Sequence, residues 1–257
     1  MQIDVVTLFP GEFRQCLDIG VTGRAMREGI ASVTTWNPRD FAKDSRGTVD
    51  DRPFGGGPGM LMTAPVLNRC LDAVLDKRSK DERCSKIRYL SPQGQQVTQA
   101  TLQCWSQQPD HIWLCGRYEG IDERLLSRHD IEQWSLGDFV LSGGELAAAA
   151  VIDGVVRLLP GALGHAQSAD QDSFSEGLLD CPHFTRPEQF DGCSVPQVLR
   201  SGDHGAIARW RLKQSLGVTW LKRPELINRR GLSCDEAALL EEFLDERHAG
   251  ARNQREM

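Results

Sequence analysis

The chain predicts an α/β fold, a mostly parallel sheet with helices on both faces, followed by a small all-helical C-terminal domain. Three observations carry this. Short apolar runs alternate with amphipathic helical stretches over the first two-thirds of the 257 residues, the pattern of repeated strand–helix units. Glycine-containing turns follow several of these strands, where open α/β sheets place their ligand sites. Beyond a break at Pro160-Gly161, the recognisable elements are helical.

Ile3–Phe9 reads as a buried strand, and Glu12–Arg27 as a helix with Phe13, Cys16, Leu17 and Val21 on one face. Ser32–Trp36 reads as the second strand. Residues 37–59 read as loop, polar first and then rich in glycine and proline. Pro65 suits the first turn of a helix that runs to about Lys77, with Val66, Cys70, Ala73 and Val74 on its apolar face. Lys86–Leu90 is a strand, Gln95–Ser106 a helix and Ile112–Cys115 a strand. A further strand lies within Asp130–Trp134, and a short one at Phe139–Leu141. Glu145–Leu159 is a helix that is apolar on nearly every side, so it must be buried against the sheet or against another subunit. Residues 162–176 are small and polar and read as a linker. Helices follow at Ile207–Leu216, from Pro224, and after Ser233, where Glu236 completes a capping box. The expected organisation is a domain over 1–161, a linker over 162–176 and a second domain over 177–257.

A hydrophobic fraction of 40% excludes wholesale disorder. The longest apolar run, Leu146–Ile152, is too short to span a bilayer, and no basic-and-apolar leader is evident. A cytoplasmic address with no membrane partner is expected. The eight cysteines form no CxxC pair, and the spacing of His165, His183 and His204 suggests no metal site. The formal net charge is -6, but Arg200–Arg230 holds eight Lys/Arg against two Asp/Glu, so a local basic surface for nucleic acid stays open.

Four clusters carry chemistry. Gly55, Gly56, Gly57, Pro58 and Gly59, next to Asp50, lack the Gly-Lys-Ser/Thr ending of a nucleotide loop. So many glycines are costly to order, which makes sense where backbone must approach a ligand. Tyr89-Leu90-Ser91-Pro92-Gln93-Gly94, Gly116-Arg117-Tyr118-Glu119-Gly120 and Ser135–Glu145 are three turns that can converge beyond the strand ends. There they would offer backbone groups to a ligand edge. Arg157 and Asp153 share a helix face, which suits either an ion pair or a guanidinium placed to hold a carbonyl or carboxylate. Asp170 and Asp172 are either solvated loop acids or, for Asp172, a carboxylate brought to a base.

VDDRPFGGGPGM (49–60), YLSPQG (89–94), CGRYEG (115–120), SLGDFVLSGGELAA (135–148), DSFSEGLLDCPHFTRP (172–187) and RWRLKQSLGVTWLKRPEL (209–226) together resemble the bacterial tRNA (guanine-N1)-methyltransferases, nearly end to end. The resemblance implies a SPOUT-type catalytic domain with a deep trefoil knot, and an obligate homodimer whose active sites lie between subunits. It implies S-adenosyl-L-methionine as cofactor, a magnesium requirement with no site placed, and tRNA with guanosine at positions 36 and 37 as substrate. Carried over residue by residue, Tyr89, Leu90, Ser91, Pro92 and Gly94 match the first cofactor turn. Gly116, Glu119 and Gly120 match the second; Ser135, Leu136, Gly137, Asp138, Phe139, Val140, Leu141, Gly143 and Gly144 match the third. Asp172 matches the family's general base and Arg157 its arginine near the target guanine. The glycine cluster with Asp50, together with Arg24, Ser173, Arg209, Arg211 and Lys213, falls on the substrate side. Phe54, Phe139 and Phe184 stand where the family is associated with tyrosine. A related knotted methyltransferase with another target nucleoside, or a noncatalytic tRNA-binding relative, is the alternative; the modified nucleoside discriminates them.

Overall fold

Five strands form a parallel sheet in the order β2-β1-β6-β5-β7: β1 (Gln2–Val6), β2 (Ser32–Trp36), β5 (Ile87–Gln96), β6 (Asp110–Leu114) and β7 (Glu132–Ser135). This computed structural model describes residues 1–80, 86–164 and 172–253. Cys84, His165, Asp170 and much of the expected linker lie outside them. The chain divides into two units, Met1–Ala166 and Gln167–Met257.

The sheet is buried on both faces, as parallel sheets are. Side chains alternate along each strand. Ile3, Val5, Trp113 and Cys115 join one core with α1 (Pro10–Leu17), α2 (Gly20–Arg27), α4 (Gln99–Ser106) and α6 (Glu145–Val156). Val6, Ile112 and Leu114 join the other with α3 (Ala64–Lys80) and α5 (Glu123–Arg128). Asp4 breaks the apolar pattern of β1 and is only 2% exposed; Arg78 Nη2 lies 2.5 Å from its Oδ2, and Trp36 Nε1 donates to Oδ1 at 2.7 Å. A buried carboxylate is tolerable on those terms.

Arg88 is another buried charge. It lies over Trp105 and Trp113, 4.9 and 5.7 Å from their rings, and its Nη1 is 2.7 Å from His111 Nδ1. Because Arg88 can only donate, His111 accepts at Nδ1 and donates from Nε2 to the Trp105 carbonyl at 3.1 Å. Burial first, then the Arg88 charge, hold the imidazole down at about 4 against an ordinary 6.5. The unfolded chain therefore binds more protons than the folded one between those values, and stability falls as pH falls through that window. The loss should approach roughly 3 kcal/mol. Urea melts of the wild type and His111→Asn across the window should show a slope in the first and a flatter one in the second. Equal slopes would assign the pH dependence to other groups.

Several expectations change. The expected Glu12–Arg27 helix is two helices, because Gly20 turns left-handed at φ 53° and leaves Ile19 exposed between them. Phe139–Leu141 is not a strand: it is exposed and pairs with no strand, an apolar run misread as β. Helix α5 was missed, being six residues long and started by Asp122, whose carboxylate accepts the Arg124 N–H at 3.0 Å. The loop over 37–59 holds β3 (Asp50–Asp51), paired antiparallel with β4 (Leu61–Met62). Helix α6 is buried along Ala147, Ala148, Val151, Ile152, Val155 and Val156, but Leu146 is 61% exposed.

The second unit is not all-helical. A hairpin joins β8 (Gln189–Phe190) to β9 (Cys193–Ser194) through Asp191 and Gly192, both at positive φ. That Asp-Gly pair is a strong hairpin signal in sequence. A 3-10 turn at Gln197–Arg200 follows, and then α7 (His204–Lys222), α8 (Pro224–Arg230) and α9 (Cys234–Asn253), around Leu178, Leu216, Ile227, Leu239 and Leu240. Among the described residues, no helix is long and apolar enough to cross a membrane.

Candidate active site

The three glycine turns of the first unit do converge. They line a cavity of about 370 Å³ beside the bulge of β5 and beyond the carboxyl ends of β6 and β7. Tyr89, Leu90, Ser91 and Pro92 come from the first turn, and Gly116, Glu119 and Gly120 from the second. The third turn contributes Ser135, Leu136, Gly137, Phe139, Val140, Leu141, Gly143 and Gly144. Gly94 and Asp138 are not among the lining residues. Asp138 is exposed, and Gly94 acts from behind: a Cβ there would fall 2.2 Å from the Trp134 backbone nitrogen. Strand β5 pairs Leu90 and then Gln95 with Trp134, so residues 91–94 bulge into the first turn.

Close packing explains two further glycines. A Cβ on Gly116 would lie 2.7 Å from the Tyr89 ring, and one on Gly144 would lie 2.8 Å from Cys115 Cα. What faces the cavity there is backbone, which can read a heterocycle's edge without charge. Burial pushes the Tyr89 phenol above its usual range and keeps it protonated. Arg117, Tyr118, Gln133 and Trp134 also line the cavity and were missed as site residues. Arg117 and Tyr118 lie inside the second glycine turn, and that enclosure was the available signal.

The glycine cluster is stitched to the second turn. Met62 N–H donates to Gly120 C=O and Glu119 N–H to Met60 C=O, both at 2.9 Å. Gly55, Gly56, Gly57 and Gly59 all have positive φ. Gly59 also abuts Glu119, whose Oε1 would be 2.3 Å from an added Cβ. Asp50 lies in β3 and Phe54 is fully exposed.

Other expected residues do not line this cavity. Arg157 is half-buried and follows α6, while Asp153 accepts a hydrogen bond from Thr22 Oγ1 at 2.5 Å and ties α6 to α2. Arg24, expected on the substrate side, donates to the Ala162 carbonyl. Asp172 belongs to the second unit. It lines a different cavity of about 370 Å³, with Glu176, Asp180, Cys181, His183 and Arg211 among its walls. Ser173 Oγ accepts the Asp180 N–H at 2.9 Å. Lys213 corrects its expectation: it is buried, with Nζ 2.8 Å from Glu242 and 2.7 Å from Glu246, and cross-links α7 to α9 rather than offering a free cation. Arg209 also pairs with Glu242, at 2.6 Å, but stays exposed; Arg211 is exposed too.

Asp180, Cys181 and His183 bring their ligand atoms within 4.8 Å of one another, a cluster that histidine spacing alone did not suggest. Sulfur and imidazole donors suit softer cations than magnesium, which takes oxygen ligands.

A family model described as tRNA (Guanine-1)-methyltransferase TrmD matches residues 1–229. A tRNA (guanine-N(1)-)-methyltransferase of Nitrosococcus oceani is 54% identical over 255 residues, 99% of this chain and 100% of the relative. Proteins of the same name from Pseudomonas putida and Sodalis glossinidius are 53% and 54% identical, covering 96% and 95% of this chain and 98% and 96% of their own. With that match over most of its length, and with the three turns folded into one cavity, the chain belongs to the tRNA (guanine-1)-methyltransferase family.

Proposed function

We propose that this protein transfers a methyl group from S-adenosyl-L-methionine to N1 of guanosine 37 in tRNA that carries guanosine at position 36, working in the cytoplasm as an obligate homodimer. The observation that carries the reading is the cavity of the first unit, built by three glycine-bearing turns in a chain of this family. The cofactor fits those residues. Gly116 and Gly144 leave no space for side chains, so backbone groups are left to face an adenine edge, and Tyr89, Leu90 and Leu141 supply apolar wall.

When bound, S-adenosylmethionine supplies a methyl group already activated by its sulfonium. The protein must hold the guanine and deal with the N1 proton. Asp172 takes that proton as general base. Arg157, with fixed charge and planar donors, stabilises the negative charge that develops on O6. Asp50 and the glycine cluster shape the base pocket, a role supported by the packing of Gly59 on Glu119. Arg24, Ser173, Arg209 and Arg211 serve the substrate side. Residues 177–257 form the tRNA-binding domain, supported by the local excess of cations.

Exposed Phe139, Val140, Leu141 and Leu146 support burial in a homodimer. A trefoil knot in the first unit is part of this reading as what the family resemblance implies. No step is assigned to magnesium.

The test uses labelled S-adenosylmethionine and two tRNA transcripts that differ only at position 36. Label should enter the transcript with guanosine there and map to N1 of guanosine 37. Label on another nucleoside, or none, would replace this reading with one of its alternatives.

A further inference from the structure

Glu145 is a carboxylate in a place where charge needs partners. It opens α6, is 6% exposed, and does not line the cavity. The helix N-terminus favours its negative charge, and its two oxygens reach two different segments. Oε1 accepts from the hydroxyl of buried Thr7, just past β1, at 2.9 Å. That hydroxyl in turn accepts the Phe9 N–H at 3.1 Å. Oε2 lies 2.8 Å from Nε of Arg117, in the second turn.

Arg117 passes the contact on to the third turn. Its Nη1 donates to the Ser142 carbonyl at 3.3 Å, and its guanidinium lies 4.5 Å from the Phe9 ring centre. Gly143 has no room for a Cβ, which would fall 2.4 Å from Arg117 Nε. Arg117 and Gly143 form an antiparallel bridge, and Gly144 N–H donates to Gly116 C=O at 2.9 Å. The two turns are thus fastened to each other through an ion pair whose carboxylate is buried and whose arginine side chain is 27% exposed.

We propose that Glu145 is a positioning residue for the cofactor: its pair with Arg117 holds the third turn in the shape that receives the ligand. This rests on the reading of the cavity as the S-adenosylmethionine site. The middle of that turn, Phe139–Leu141, pairs with no strand of its own chain, so within the protomer its shape is set from its ends. Without the anchor, the turn spends less time in the competent shape, and the dissociation constant rises as the inverse of that fraction. Saturating cofactor restores the shape, so the chemical rate changes little.

Glu145→Gln keeps an acceptor for Thr7 and removes the charge that holds Arg117. Calorimetry should show the dissociation constant for S-adenosylmethionine raised about tenfold. The kcat at saturating cofactor should stay within about threefold of wild type. Thr7→Val, which removes only a hydroxyl, should shift affinity in the same direction by less. Adding Arg117→Gln to Glu145→Gln should cause no loss beyond the larger single effect, because both break one pair. A merely structural role would lower the thermal midpoint and the active fraction but leave the affinity of the folded molecules unchanged. That result, or unchanged affinity in both single variants, overturns the proposal. Wild-type protein is titrated alongside. If it fails to bind the cofactor, the reading of the cavity fails and this proposal falls with it; if wild type and variants bind equally well, the positioning role alone is refuted.

Discussion

Asp172→Asn is expected to slow single-turnover methyl transfer by about a thousandfold, within the range that loss of a general base produces. Cofactor affinity should stay within about twofold, since the change is nearly isosteric and the cofactor turns lie in the other unit. The loss follows from proton accounting. N1 of guanine carries a proton at neutral pH, so its lone pair becomes available to a methyl group only as that proton leaves. An amide cannot take it. The backbone that carries the side chain is set in a turn: the Asp172 carbonyl accepts the Ser175 N–H at 3.2 Å, and Phe174 sits at φ 73°. The residue is half-buried beside a cavity that Arg211 and Asp180 also line. Rapid-quench methylation with enzyme in excess, paired with cofactor titration, makes the measurement. Near-normal single-turnover transfer by Asp172→Asn would remove Asp172 from the base role.

The second large effect is expected at Gly94. Its missing side chain points at backbone, with the Trp134 nitrogen 2.2 Å and the Gln133 carbonyl carbon 2.4 Å from where a Cβ would stand. Main chain in a sheet cannot step aside as a side-chain tip can. Gly94→Ala must therefore push the 91–94 bulge away from β7 or break the pairing of β5 with it. A cost of about 3 kcal/mol is expected, at the upper end of ordinary overpacking. The first turn should lose its shape with it, and cofactor binding should fall below detection. Gly11→Ala is the control: an added methyl there meets nothing within 4 Å, and the residue lies in α1. Urea denaturation and cofactor calorimetry on both variants check the pair. Near-wild-type stability in Gly94→Ala would mean the two segments do not pass as closely as described.

The two sites differ in how far local sequence discloses them. The strand cores were legible because Val5-Val6 and Ile112 to Cys115 are short continuous apolar runs, as strands buried on both faces are, and α3 shows its helical face in Val66, Cys70 and Val74. Turn chemistry was legible where glycine is dense. It was misread where a short apolar run lacked a strand to pair with, as at Phe139–Leu141, and where a six-residue helix gave too little period, as at Glu123–Arg128. Lys213 shows the same limit for charge. Its neighbours in sequence are cationic, but its neighbours in space are Glu242 and Glu246, two helices further on.

By itself the sequence determined the class of fold, the three turns that meet at one cavity and, through motifs that run nearly end to end, the family. These depend on order along the chain: period, spacing and turn residues are all local. Tertiary structure alone decided which charges are already matched, such as Asp4 with Arg78, Glu145 with Arg117 and Lys213 with two glutamates. It also decided which glycines are required by a distant backbone. Those facts depend on what lies opposite a residue across 28 to 74 positions of chain. Desolvation and Coulomb attraction act through space, and no local pattern records them.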